Sequence, residues 1–211
     1  GQVVAYLLEN NQIVIVACKN KGIATELADA IKGAGINVNI HANTKSFTAC
    51  AGALCENEDR QAIAVELAHQ EATAGNTVLI LGGRIEHCET LARRITERGT
   101  KAEPVHSKVK KKIREKCLDD LRSGDLLVAT ATSLADEGLD IPRLGRLIVA
   151  APLRAEPKTI QRAGRCMRDF PGQGNPILYD LVDAKVEALE LQWIARRRSY
   201  RKEKFPFQSE E

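Results

Sequence analysis

The sequence has no apolar run long enough to cross a bilayer. Its clean apolar stretches, such as residues 13 to 18 and 78 to 81, fall far short of the ~20 residues that a transmembrane helix needs. The N-terminus also lacks a basic segment followed by an apolar run and a small-residue cleavage site, so nothing suggests secretion. We therefore expect an intracellular protein with no membrane association.

Paired cysteines are also missing, because no CxxC spacing occurs among the six cysteines. These are Cys18, Cys50, Cys55, Cys88, Cys117 and Cys166. Scattered cysteines that mostly sit within apolar patterns are typical of reduced core thiols in an intracellular protein. His41, His69 and His87 have no partner spacing for a metal ligand set. The sequence therefore predicts no metal site of its own.

What is present is ordinary for a globular protein. The 211 residues are 44% apolar and 28% charged, which suits one generous domain or a domain with an appendage. The net charge is only +3, but the positive residues concentrate in two blocks, residues 108 to 116 and 196 to 204. Uneven charge of this kind says more about binding partners than the sum does.

The chain from residue 76 onward alternates short β-branched or leucine-rich runs with longer stretches of helical apolar spacing. We predict strands at 78–81, around Val105, and at 126–129, 147–150 and 177–181. Predicted helices carry apolar stripes that end at Gly99 and Gly124; the stripes are Ile85, Cys88, Leu91, Ala92 and Ile95, then Val109, Ile113, Cys117 and Leu121. Strands that are apolar on both faces predict an α/β fold, with a parallel sheet flanked by helices on both faces.

The pattern also divides the chain into three parts. Residues 1 to 56 form an N-terminal segment, interpreted either as a linking passage or as a small βαβ piece. Residues 57 to 185 form the main domain, which opens on a helix whose inward residues are Ile63 and Leu67. Residues 186 to 211 form a C-terminal helix and a basic tail.

The two terminal parts show different sequence patterns. Near the N-terminus, residues 13–17 and 36–40 look like strands around a helix that holds Leu27 and Ile31. Near the C-terminus, aromatic residues interleave with arginine and lysine, a composition on which nucleic-acid bases could stack. Trp193 is better interpreted as an anchor that packs the last helix on the domain.

One short segment brings cationic and amide side chains together. On a helix, Gln161, Arg165 and Arg168 share one face, while an apolar face supports them from behind. Two guanidinium groups, each with a permanent charge and a planar donor fork, suit a polyphosphate. The same spacing is also common on solvated or ion-paired helix surfaces, so spacing alone leaves both interpretations open.

A second segment places polar residues after a predicted strand. Thr130, Thr132 and Ser133 follow that strand, and a turn with Gly138 and Asp140 comes next. Ligands of α/β sheets bind at the carboxyl ends of the strands, so this position favours ligand contact. Taken alone, Thr132 or Ser133 is better interpreted as a helix N-cap, and Asp140 could be a turn residue.

Taken in order, these segments resemble the C-terminal (second) RecA-like lobe of superfamily-two DEAD/DEAH-like helicases. Residues 78–84 (VLILGGR), 104–107 (PVHS), 128–142 and 161–168 (QRAGRCMR) are similar to motifs four, four-a, five and six. Residues 137–142 (EGLDIP) and 161–165 (QRAGR) are more similar to the DNA-repair and phage type than to DEAD-box RNA helicases. The resemblance implies a RecA-like fold and work on nucleic acid, with DNA favoured over RNA and a cytoplasmic or nucleoid-associated location.

The resemblance also implies a role for each matching residue. Arg165 and Arg168 match the arginine fingers that reach the γ-phosphate of ATP, and Gln161 matches the polar residue beside them. Gly138 and Asp140 match positions near the nucleotide ribose. The residues that match groups contacting the nucleic-acid strand are Arg84, His106, Ser107 and Thr130.

The basic block adds Lys110 and Lys111, which come just after His106 and Ser107. A solvated helix face is one interpretation of these lysines. Contact with a phosphate backbone is the other, and it would make binding sensitive to salt.

Half of an ATP site has no counterpart in this sequence. No Gly-Lys dipeptide occurs, so no GxxxxGK[ST] loop can cradle phosphates, and no DExH motif can hold magnesium. We therefore expect ATP with magnesium to bind mainly to a first RecA-like lobe of the same protein, and this chain alone to be inactive as an ATPase. The alternative is a non-catalytic nucleic-acid-binding or adaptor module that has the shape of the lobe.

Overall fold

The computed structural model describes residues 2–9, 12–16, 52, 54–132, 141–151, 175–182 and 187–202, with the backbone alone at 2–9, 12–16 and 187–188. The strands in these ranges are β1 (Gln2–Glu9), β2 (Gln12–Val16), β3 (Thr77–Leu81), β4 (Ala102–Val105), β5 (Val128–Ala131), β6 (Leu144–Val149) and β7 (Ile177–Val182). The helices are α1 (Glu58–Thr73), α2 (Ile85–Glu97), α3 (Lys111–Ser123) and α4 (Glu187–Lys202).

The strands form one sheet in the order β2-β1-β7-β6-β3-β5-β4. The five strands from β7 to β4 are all parallel, as the sequence predicted. β1 extends this block in parallel beside β7, and β2 pairs antiparallel with β1. Since parallel strands point the same way, the carboxyl ends of β3, β4, β5, β6 and β7 lie along one edge of the sheet.

Helices cover both faces of the sheet, because successive strand residues point to opposite sides. In β3, Val78 and Ile80 join the core beneath α1 and α2. Leu79 and Leu81 join a second core on the other face, to which α3 and α4 contribute. The predicted α/β architecture with helices on both faces is therefore confirmed.

Glycines end two of the helices where the sequence predicted. Gly99 and Gly124 have φ angles of 104° and 91°, a left-handed conformation that residues with a side chain rarely adopt. At the start of α1, the side chain of Asn57 accepts a hydrogen bond from the backbone N–H of Arg60 at 2.8 Å. These local signals fix the helix boundaries independently of the core.

The predicted apolar stripe of α3 was wrong in its first half. The helix begins at Lys111, so Val109 precedes it, and Ile113 is 54% exposed. The buried residues are Cys117, Leu118 and Leu121. β4 is an edge strand of four residues, and it offers little surface for the first turn of α3 to cover.

A buried polar network lies near the amino ends of the strands. The Nε of Arg146 donates to Oε2 of Glu71 at 2.7 Å, and Nδ2 of Asn76 donates to the same oxygen at 2.7 Å. The hydroxyl of Tyr179 donates to the other carboxylate oxygen. Because α1 supplies Glu71, this network ties the end of α1 to β6 and β7.

A second buried network anchors α4. The guanidinium of Arg196 donates to both carboxylate oxygens of Asp180, at 2.7 and 3.0 Å, and the hydroxyl of Tyr200 donates to Oδ2 at 2.9 Å. Burial, followed by the neighbouring Asp180 charge, raises the pKa of Tyr200 well above its usual value. The side chain of Trp193 is buried and lies against Arg196 and Tyr200, which confirms its role as an anchor.

The predicted C-terminal basic surface needs one correction. Arg196 is only 3% exposed and belongs to the interior, because Asp180 binds it there. The exposed cationic residues of α4 are Arg197, Arg198, Arg201 and Lys202. Tyr200 is likewise buried, so it offers no platform for a base in this conformation.

The N-terminal segment matches the sequence interpretation in part. β2 overlaps the strand predicted at 13–17 with a shift of one residue, whereas β1 was not predicted. The strand at 36–40 and the helix around Leu27 lie outside the described residues, and the three-part division of the chain stays a prediction. None of the helices that the structure describes has the length and apolar character needed to cross a membrane.

The described cysteines are free and buried. They are Cys55, Cys88 and Cys117. Burial is the largest cause that raises the pKa of Cys88 and of Cys117 to about 12. These three therefore lie in the core as free thiols, as the sequence predicted. The other three cysteines lie outside the described residues.

Candidate nucleotide and nucleic-acid interface

The predicted functional segments all follow parallel strands at the carboxyl edge of the sheet. Arg84 follows β3 by three residues, and His106 follows β4 directly. Residues 133 to 140 continue from the end of β5, and residues 152 to 174 continue from the end of β6. Parallel pairing therefore gives four segments that are distant in sequence a common starting edge, where α/β folds bind ligands.

The turn after β3 is packed too tightly for any side chain. A Cβ atom added to Gly82 would lie 2.6 Å from Sγ of Cys88, and one added to Gly83 would lie 2.6 Å from Sγ of Cys55. The two thiols therefore require glycine at both positions. This packing fixes the backbone that leads into Arg84.

Arg84 presents its guanidinium group at the surface. Its side chain is 52% exposed, and its NH1 atom lies 3.8 Å from Oε1 of Glu56. The NH2 atom would lie 2.5 Å from a Cβ atom built on Gly52, so the guanidinium rests close to that backbone. An exposed ion pair at this distance is weak and can exchange for another anion.

His87 supports the same turn from below. The backbone N–H of Gly83 donates to Nδ1 of His87 at 3.2 Å, so the ring accepts there and carries its proton on Nε2. Within the described part of the chain, Nε2 has no hydrogen-bond partner. Burial, followed by the charge of Arg60, lowers the pKa of His87 to about 4. The ring is therefore neutral at physiological pH, as expected of a structural histidine.

Acid should destabilise the protein through His87. The unfolded chain binds a proton near pH 6.5 while the folded ring, with its pKa of about 4, stays neutral, so the free energy of unfolding falls as pH drops from 6.5 towards 4. The loss over this window should approach about 3 kcal/mol. Urea unfolding at pH 7 and pH 4.5 measures it. In a His87→Gln control, which keeps an acceptor for Gly83, this part of the loss should disappear, and an unchanged loss would contradict the assignment.

The turn after β4 brings together Ser107, Lys108 and Lys110 at the surface, with His106 beneath them. His106 is 2% exposed, and its Nε2 lies 3.3 Å from Oε1 of Glu89. Ser107, Lys108 and Lys110 are exposed. Ser107 is therefore accessible to a nucleic-acid strand, whereas His106 is buried and supports the turn.

Arg114 holds this turn, a role that the sequence pattern did not reveal. Its NH1 atom lies 3.4 Å from the carbonyl oxygens of His106 and Ser107, and 3.2 Å from that of Val109. The sequence showed Arg114 only as one of several cations in a basic block. Arg114 is eight residues from His106 in sequence. The loop after β4 and the first turn of α3 bring the two together, and no sequence-spacing rule predicts such a contact.

Lys110 and Lys111 lie at the start of α3. Lys110 is its N-cap residue, and both side chains are exposed. Lys111 has one weak partner within its own helix, since Nζ lies 3.7 Å from Oε1 of Glu115. The two ammonium groups thus lie beside the turn of Ser107 and Lys108, available to an external anion.

Thr130 does not join this surface. Its side chain is fully buried, and Oγ1 donates to the carbonyl oxygen of Cys88 at 2.9 Å. The hydroxyl therefore connects β5 to α2 beneath the edge. Thr130 exposes no atom that could contact a nucleic-acid strand in this conformation, so the structure does not support the role expected of it.

The expected nucleotide-contacting residues lie outside the described residues. These are Gly138, Asp140, Gln161, Arg165 and Arg168. The structure gives the strand ends from which their segments continue, and their roles stay predictions.

Comparison with known sequences identifies the family of this chain. Residues 58–169 match the helicase conserved C-terminal domain, and the chain belongs to that family. A helicase of Sulfolobus islandicus filamentous virus (isolate Iceland/Hveragerdi) is 36% identical over 104 residues, which are 49% of this chain and 19% of the relative.

Solved structures show the same fold. T4 UvsW aligns with a TM-score of 0.66 at 15% identity, over 97% of this chain and 40% of UvsW. Mycobacterium smegmatis helicase Lhr, solved bound to ssDNA and AMP-PNP, aligns with a TM-score of 0.52 at 16% identity, over all of this chain and 22% of Lhr. The chain is thus similar to the second lobe of superfamily-two helicases and spans less than half the length of each of these three proteins.

Proposed function

We propose that this chain is the C-terminal RecA-like lobe of an ATP-dependent helicase or translocase that acts on DNA. The observation that carries the proposal is the shared edge, because the segments after β3, β4, β5 and β6 all start there. A single edge can then meet a nucleotide with one group of residues and a nucleic-acid strand with another. Family membership supports the reaction class, and the shared edge supports separate contacts to the nucleotide and to the nucleic acid.

The nucleotide half of the proposal assigns Arg165 and Arg168 to the γ-phosphate of ATP, with Gln161 beside them. Guanidinium groups stabilise the charge that develops on the transferred phosphoryl group. Gly138 and Asp140 are assigned to the ribose. ATP supplies the reacting phosphate, and its magnesium is held by the first lobe. This lobe therefore contributes transition-state charge to a site completed by another part of the protein.

The nucleic-acid half assigns the exposed groups after β3 and β4 to the phosphate backbone. Arg84, Ser107, Lys110 and Lys111 provide donors that are exposed and at most weakly paired. His106 and Thr130 are both buried, and we assign them to supporting the turns that carry these exposed donors. Cations that neutralise phosphates release bound counterions, so binding should weaken as salt rises.

Removing Lys110 and Lys111 should reduce both the affinity for DNA and its salt dependence. In the full-length protein, the double variant Lys110→Ala/Lys111→Ala should lower the slope of log K against log salt by about 0.7 per lost contact with single-stranded DNA. Fluorescence anisotropy at four salt concentrations measures the slope. RNA of the same sequence, run in parallel, should bind more weakly than DNA.

Lys101 provides the matched control. It is exposed and precedes β4, so it lies at the amino edge of the sheet, away from Lys110 and Lys111. Lys101→Ala removes one lysine charge, against two in the double variant, and should leave the slope unchanged. Equal slopes for the double variant and the unmodified protein would remove these lysines from the interface, and tighter binding to RNA would reverse the substrate assignment.

A further inference from the structure

The outer face of α4 carries positive charge that the described part of the chain does not neutralise. The acidic residues of this helix, Glu187 and Glu190, both lie in its first turn. Its last two turns carry four exposed cationic residues, which we call the α4 basic face. These are Arg197, Arg198, Arg201 and Lys202. None of the four forms an ion pair with a residue that the structure describes.

Other helices neutralise exposed cations within the fold. On α2, the guanidinium of Arg93 lies 2.7 Å from Oε1 of Glu97. On α3, the ammonium of Lys116 lies 2.6 Å from Oδ2 of Asp120. In both pairs the acid follows the cation by four residues, the spacing at which side chains of a helix are neighbours. Pairing of this kind leaves little charge for a partner.

On α4 the neighbours at this spacing carry the same charge. Arg201 follows Arg197 by four residues, and Lys202 follows Arg198 by four. Like charges at this spacing destabilise a helix. The helix dipole offsets part of the cost, because it favours cations near the carboxyl end. The excess positive charge nevertheless remains available to an anion from outside the chain.

The α4 basic face points away from the core. Trp193, Arg196 and Tyr200 are buried and hold the helix on the sheet. At 3.6 residues per turn, the four cations occupy an arc of about 140° on the other side of the helix. Their charge is therefore presented outward on a support that buried contacts keep in place.

The face also lies away from the turns after β3 and β4. α4 starts five residues after the end of β7, and five residues reach at most about 18 Å. The helix therefore begins near the carboxyl edge of the sheet. Its later contacts to Asp180, within β7, show that it runs back across the sheet. The cationic end of α4 thus lies towards the amino edge.

The chemistry of this face suits the phosphate backbone of a duplex. Leu191 and Ile194 are the apolar residues exposed beside it on α4, which are too few for the apolar core of a stable protein interface. Single strands bind through exposed aromatic rings on which bases stack, but Trp193 and Tyr200, the aromatic residues of α4, are buried. Duplex DNA carries about one negative charge per 1.7 Å of its axis and needs no stacking surface.

We propose that the α4 basic face is a second DNA-binding surface, which holds the phosphate backbone of a duplex while the carboxyl edge of the sheet contacts a single strand. The inference rests on the proposed function, since it needs a protein that acts on DNA. The 16 residues of α4 span about 24 Å, so the two surfaces meet different segments of one DNA molecule. A junction between duplex and single strand has this arrangement.

The test is binding of the full-length protein to a blunt DNA duplex, to a single strand of the same length and to a duplex with a single-stranded tail. Fluorescence anisotropy over a range of salt concentrations gives the slope of log K against log salt. In Arg198→Gln/Arg201→Gln, the slope for the duplex should fall by about 0.9 per lost contact. The slope for the single strand should stay unchanged, and the preference for the tailed duplex over the single strand should shrink.

Two variants make the comparison specific. Arg93→Gln/Arg98→Gln removes the same number of exposed arginine charges from α2, on the opposite face of the sheet, and should leave the duplex slope unchanged. Arg198→Lys/Arg201→Lys keeps both charges and should keep the duplex slope, because contact with the backbone is electrostatic. All these positions are at the surface, so the melting temperatures should change little.

The possible outcomes separate this proposal from the proposed function. An unchanged duplex slope in both Arg198→Gln/Arg201→Gln and Arg197→Gln/Lys202→Gln would overturn it and favour an acidic protein as the partner. An equal fall in slope for the single strand, or for the duplex in the α2 control, would also overturn it. If the unmodified protein binds none of the three DNAs, it is the proposed function that fails.

Discussion

Full-length protein carrying Arg165→Ala or Arg168→Ala is expected to lose ATP turnover by ~10³ to 10⁵-fold. The finger charge matters most in the transition state, where negative charge gathers on the transferred phosphoryl group. Because we propose that the other lobe holds most of the ATP, we expect the KM for ATP to change far less than kcat. Phosphate release with saturating single-stranded DNA measures both constants.

Arg162→Ala is the matched control for this prediction. Arg162 lies in the same short segment and carries the same charge, but the proposed function assigns it no contact with ATP. Its replacement should change kcat by less than about tenfold. Equal losses in all three variants would indicate a general electrostatic effect, and no loss at Arg165 and Arg168 would refute the finger assignment.

The largest effect on stability is expected from Asp180→Asn. Asp180 is fully buried, and its two carboxylate oxygens accept three hydrogen bonds from Arg196 and Tyr200. The amide keeps the shape but removes the charge that faces the buried guanidinium of Arg196. Removing one partner of a buried pair costs about 3 to 5 kcal/mol. Urea unfolding at neutral pH measures the loss.

Asp120→Asn provides the comparison, since it breaks an ion pair of similar length on the surface. Its carboxylate lies 2.6 Å from Nζ of Lys116, whose side chain is 73% exposed. Solvent screens this pair, so its loss should cost less than about 1 kcal/mol. Similar costs for the two substitutions would show that Asp180 does not anchor α4.

The architecture of the main domain was predictable from sequence because its signals are local. Runs such as residues 77–81 are apolar on both faces, and α2 shows helical spacing that Gly99 ends. The N-terminal strand β1 was missed because its pairing with β7 joins residues distant in sequence. The prediction that Ile113 is buried was wrong. Helical periodicity shows which residues could face a sheet, but the length of the edge strand β4 determines which of them it covers.

The candidate site was predictable in part for the same reason. Sequence order identified the turns after β3 and β4, and the structure brings Arg84, Ser107 and Lys110 to the surface there. It does not bring Thr130 there, because that hydroxyl finds a partner in the carbonyl of Cys88. Arg114 was not predicted as a site residue, since its acceptors are backbone carbonyls, which every sequence contains and no motif records.

We propose above all that this chain completes an ATP site whose other half lies elsewhere in the protein. It is tested most directly by measuring phosphate release from ATP for this chain alone, for the first lobe alone, and for the two lobes joined in the full-length protein, each with and without single-stranded DNA. We predict turnover only in the joined protein, stimulated by DNA. Turnover by this chain alone, or none by the full-length protein with DNA, would contradict the account.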